Sequence, residues 1–140
     1  MDPKEKKLFS LLEKTGKLTG PLIEQFRDNY GDLFFKALEY IQVDTHKVVK
    51  NVFLPSELII WSVQGVEQTY VVYPEIYCQC QSFQMDAIYR NRKFKMCKHL
   101  LAQKLAESLN LFEKIERKDN AFKEFSKQIQ AMILEKNKKS

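Results

Sequence analysis

Cysteine is scarce in this sequence, three in 140 residues. An odd number cannot close a disulfide set, and so few exclude the disulfide-dense scaffolds of short secreted domains. Glycine and proline are also few, four of each, which excludes a collagen-like, linker-rich or low-complexity chain. No uncharged apolar run approaches the ~18 residues that span a bilayer, so no membrane association is expected. The opening Met1-Asp2-Pro3-Lys4-Glu5-Lys6-Lys7 is highly charged and leads into no signal-type apolar stretch. An intracellular, reducing location is the expectation.

What is present suffices for a core. Hydrophobic residues make up 44% of the chain, with ten Phe and six Tyr among the bulkiest. The length suits one compact domain. The formal net charge is +5, a mild basic excess that permits contact with nucleic acid without establishing it.

The hydrophobic pattern divides the chain into three regions and predicts an α+β fold. Residues 1–42 read as an N-terminal helical region. Leu8, Leu11 and Leu12 form a first apolar face, broken by Thr15-Gly16 and Thr19-Gly20-Pro21. Leu22, Ile23 and Phe26 open a second helix. Leu33, Phe34, Ala37, Leu38 and Ile41 mark a third, with Asp32 as its expected N-cap. Residues 43–110 change period. The runs around Val48–Phe53, Leu58–Val63, Thr69–Tyr73 and Ile76–Cys80 predict a small antiparallel β-meander. Leu100, Leu101, Leu105 and Leu109 then predict an amphipathic helix. Residues 111–140 read as a C-terminal helix, capped near Asp119-Asn120, and a basic tail.

All three cysteines fall in closely spaced pairs within 76–102. The pattern is Cys78-x-Cys80, sixteen residues, then Cys97-x-His99. Residues two apart on a strand share a face, so both sulfurs of the first pair are able to approach one ion. On a regular helix the same spacing turns the second pair ~200° apart. Cys97 and His99 are therefore expected where a loop becomes the Leu100 helix. The positive helix N-terminus there, with Arg92, Lys93, Lys95 and Lys98, favours thiolate over thiol. Three sulfurs and one imidazole suit a single tetrahedral Zn2+ in a structural role. His46 stands apart from this group and reads as a surface or packing residue.

This pattern, CxC followed by a spacer and CxH, resembles the SWIM zinc finger. Ala102, three residues after His99, extends it to CxC…CxHxxA, which is similar to the small SWIM subunits of the Shu recombination-mediator complex. Tyr30-Gly31 to Ile41 and the run Tyr77-Cys78-Gln79-Cys80-x-x-Phe83 fit the same family. The resemblance implies a non-enzymatic nuclear protein that pairs with a RecA-like recombinase paralogue. It also implies promotion of strand-exchange filament assembly on single-stranded DNA in homologous recombination repair. The alternative is a general SWIM-type DNA- or protein-binding module outside recombination.

Two further segments bear on partners. Phe122, Phe125, Ile129 and Met132 recur at helical spacing, and the stripe either docks in a partner's groove or packs on the chain's own core. Arg90, Arg92, Lys93, Lys95 and Lys98 surround Phe94 without an acidic residue among them. They either follow single-stranded DNA, with Phe94 stacking on a base, or form a solvated loop that tunes the thiolates. The sequence holds neither a phosphate-cradling Gly-rich loop nor a deaminase zinc pattern, so no enzymatic activity is expected.

Overall fold

The computed structural model of the chain describes residues 3–42, 47–65, 68–74, 77–78, 96–125 and 127. Helix α1 spans Pro3–Thr15 and buries Glu5, Leu8, Phe9 and Leu12, at the steps of three and four that line one face. Leu11 was expected on that face but is 39% exposed. At ~100° per residue it lies roughly 110° around the axis from the centre of the buried stripe. Gly16, at φ +76°, donates its N–H to the Leu12 carbonyl and closes the helix.

Helix α2 spans Gly20–Tyr30. The Thr19 hydroxyl accepts from the Leu22 N–H at its start, and Pro21 sits in the first turn, where its missing N–H costs nothing. Helix α3, Asp32–Leu38, follows at once. Asp32 is not its cap as expected. Gly31, at φ +61°, serves both as the end of α2 and as the cap of α3, so Asp32 is already inside the helix. The third helix also stops before Ile41. Tyr40 and Ile41 are nonetheless buried, held by tight N–H bonds to the Ala37 and Leu38 carbonyls. Phe26 stacks with both Tyr30 and Phe34 and meets Phe9 edge-on.

Strands β1 (Val48–Leu54), β2 (Leu58–Gln64), β3 (Thr69–Tyr73) and β4 (Tyr77–Cys78) pair antiparallel in sequence order. The expected meander is thus present, but the sheet is larger and mixed. A fifth strand, β5 (Glu113–Lys118), runs parallel to β1 and gives the order β4-β3-β2-β1-β5. The sequence reading assigned no strand there. Glu-Lys-Ile-Glu-Arg-Lys has one apolar residue, and only Ile115 and Arg117 are half-buried, so long-range pairing with β1 makes this strand. Asp119–Ala121 then forms a 3-10 turn, followed by helical residues 122–125.

Helix α4, Lys98–Leu109, packs against α1 and α3 as well as strands β1 to β4. Its buried residues include His99, Leu100, Leu101, Ala102, Gln103, Leu105 and Ala106. It is therefore a central helix, enclosed on more sides than the leucine stripe implies. Val48, Val63, Tyr70, Trp61, Val72 and Cys78 share the core with it. On the alternate positions of β1, Asn51 and Phe53 are buried too. The chain is α+β: N-terminal helices, a small sheet, and helical structure after it. Among the described residues no helix is long and apolar enough to cross a membrane.

Candidate metal centre

Pairing of β4 with β3 sets Cys78 opposite Val72, and its side chain is fully buried. Cys97 arrives from the other side. It is the N-cap of α4, with extended backbone at φ −92° and ψ 175°, and its sulfur accepts the Leu100 N–H at 3.5 Å. His99 lies in the first helical turn. The change from extended to helical backbone at Cys97 is what lets residues two apart converge. The Cys78 sulfur is 3.7 Å from His99 Nδ1, and the Cys97 sulfur 4.0 Å.

These separations suit a shared ion. A tetrahedral zinc with ordinary bond lengths holds sulfur and nitrogen ~3.6 Å apart, close to both observed distances. All three donor atoms lie within 4.8 Å of one another. Cys78, Cys97 and His99 are 0%, 5% and 3% exposed, so the donors are shielded from solvent. Cys78, Cys97 and His99 therefore form a buried cluster able to hold a metal ion.

Two tyrosines enclose the imidazole. The Tyr40 hydroxyl is 3.4 Å from His99 Nε2, and the two rings meet edge-on at 5.3 Å. The Tyr70 ring lies against His99 with centroids 4.3 Å apart. Gly65 makes room for that ring: a Cβ at this position falls 2.7 Å from Tyr70 Cε2 and 3.1 Å from the Gln68 carbonyl oxygen. Sequence reasoning missed Tyr40, Tyr70 and Gly65. Each is an ordinary residue type in an ordinary segment, and only the fold brings Tyr40 and Tyr70 to His99 and Gly65 against the Tyr70 ring.

The other sequence-derived candidates are distributed as follows. Cys80 lies outside the described residues, as do Arg90, Arg92, Lys93, Phe94, Lys95, Ile129, Met132 and His46. Lys98 is the first residue of α4; its ammonium lies 6.0 Å from the Tyr40 ring centroid, with Lys47 at 5.5 Å. Ala102 is buried in α4, one turn beyond His99. Phe122 and Phe125 meet the buried Phe53 ring edge-on at 5.3 and 5.6 Å, so both rings make contacts within the chain. The Arg117 guanidinium lies 5.0 Å from the Phe125 ring centroid.

Comparison with protein-family models, curated proteins and solved structures gives no significant match to this chain.

Proposed function

We propose that this chain is a non-enzymatic zinc-binding subunit of a recombination-mediator complex. It pairs with a RecA-like recombinase paralogue and promotes assembly of the strand-exchange filament on single-stranded DNA during homologous recombination in the nucleus. The observation that carries this reading is the convergence of Cys78, Cys97 and His99 on one buried point. The spacing Cys78-x-Cys80…Cys97-x-His99-x-x-Ala102 links that cluster to the SWIM subunits it resembles.

One Zn2+ held by Cys78, Cys80, Cys97 and His99 acts as a cross-link between the end of β4 and the start of α4. Four protein ligands fill a tetrahedral shell, which is the structural rather than the catalytic arrangement. Structural zinc contributes ~10–16 kcal/mol in zinc-finger peptides, against ~5–15 kcal/mol for the whole stability of a small domain. Because α4 touches α1, α3 and four strands, fixing its first turn supports the surfaces that a partner meets. The metal's role is folding, and chemistry on ATP belongs to the partner.

Affinity purification of the full chain from nuclear extract, followed by mass spectrometry, tests the proposal. A RecA-like ATPase is recovered with the native chain and lost with Cys97→Ser. Recovery of no RecA-like protein overturns the mediator reading. Equal recovery with both chains removes zinc from it.

A further inference from the structure

A histidine that ligates through one ring nitrogen needs the proton on the other, and something must fix that choice. In His99 the two nitrogens face different surroundings. Nδ1 points at the sulfurs of Cys78 and Cys97, and Nε2 points at the hydroxyl of Tyr40. We infer that Tyr40 is a positioning residue for the metal centre: when Nδ1 of His99 holds the ion, the Tyr40 hydroxyl accepts the Nε2 proton and fixes the ring in that orientation. This inference rests on the metal-binding reading of the site.

The placement supports it. Tyr40 is buried, and its position is set by the N–H bond to the Ala37 carbonyl just past α3. It therefore carries the N-terminal helices to a metal centre whose described ligands lie on β4 and at the start of α4. The edge-on approach of its ring and the Tyr70 ring packed on the imidazole limit rotation of His99 from two directions. A hydroxyl both donates and accepts. Tyr40 is thus able to serve either tautomer before metal arrives, and only the Nε2–H form afterwards. Phenylalanine keeps the ring and removes the acceptor for the Nε2 proton of the metal-bound form.

The test compares the native chain, Tyr40→Phe and Cys97→Ser, each titrated with zinc against a chromophoric chelator. Tyr40→Phe is expected to bind zinc roughly 10–100-fold more weakly, the usual effect of losing an outer-shell partner, with unchanged helix content by circular dichroism. Native affinity in folded Tyr40→Phe overturns the inference while leaving the metal centre intact. Failure of the native chain to bind zinc any better than Cys97→Ser overturns both. Long-range 15N–1H correlation spectra of the zinc-loaded native chain give a second readout that needs no variant. They are expected to show His99 protonated at Nε2, and protonation at Nδ1 instead overturns the assignment.

Discussion

The hydroxyl of Tyr30 donates to the carboxyl of Glu5 across 2.7 Å, and both side chains are buried. The bond ties α1 to the last residue of α2, beside the Phe9–Phe26 edge contact. Tyr30→Phe keeps the stack on Phe26 and removes the donor. It should lower stability by about 1–3 kcal/mol in urea unfolding, because a buried acceptor loses a partner. Adding Glu5→Leu removes that acceptor and should recover part of the loss. A double variant no more stable than the single one contradicts this account.

Gly65 gives a second prediction, which connects packing to the metal centre. Its Cβ position is filled by the Tyr70 ring, and that ring rests on His99. Gly65→Ala should therefore cost about 1–3 kcal/mol as overpacking and weaken metal retention as the Tyr70 ring shifts. Thermal unfolding and chelator competition measure the two effects. An alanine variant with native stability and native metal retention shows that the ring has room to move.

Asn51 is the hub of the opposite sheet face. Its amide donates to the Ile60 carbonyl at 2.9 Å and to the Ser62 hydroxyl at 3.1 Å, and its oxygen accepts from Arg117 Nε at 3.0 Å. Arg117 thus fastens the edge strand β5 to β1. Asn51→Leu should destabilise by about 1–3 kcal/mol for each group left without its partner. Arg117→Lys should not act as a conservative change, since lysine lacks the Nε donor and the planar group over Phe125. Urea midpoints for the two variants that match the native chain contradict the network.

Where the signal was local, the sequence was legible. The break at Thr19-Gly20-Pro21 and the apolar Leu22, Ile23 and Phe26 announce α2, and the β-branched runs announce β1 to β3. The spacing of Cys97 and His99 placed them at a loop-to-helix junction, where Cys97 caps α4. What escaped depends on distant partners. Strand β5 carries a charged sequence that only β1 makes extended. The Gly31 cap displaced Asp32 because two helices meet at a single residue. Tyr40 gave no periodic signal, since it lies in the turn past α3 and meets a histidine 59 residues away.

The basic segment makes a prediction about nucleic acid. If Arg90, Arg92, Lys93, Lys95 and Lys98 all meet phosphates of single-stranded DNA, log K against log salt falls with a slope of roughly −3.5. Replacing Arg90, Arg92, Lys93 and Lys95 with Gln should flatten most of that slope. Fluorescence anisotropy with a labelled oligonucleotide measures it. No salt dependence in the native chain removes direct DNA contact from these residues.

Elemental analysis of the purified, reduced chain, paired with unfolding curves taken with and without chelator, addresses the metal centre directly. The account predicts one zinc per chain, its absence from Cys97→Ser, and a marked loss of stability when the chelator strips it from the native protein. Metal-free native protein whose unfolding is indifferent to the chelator contradicts the account.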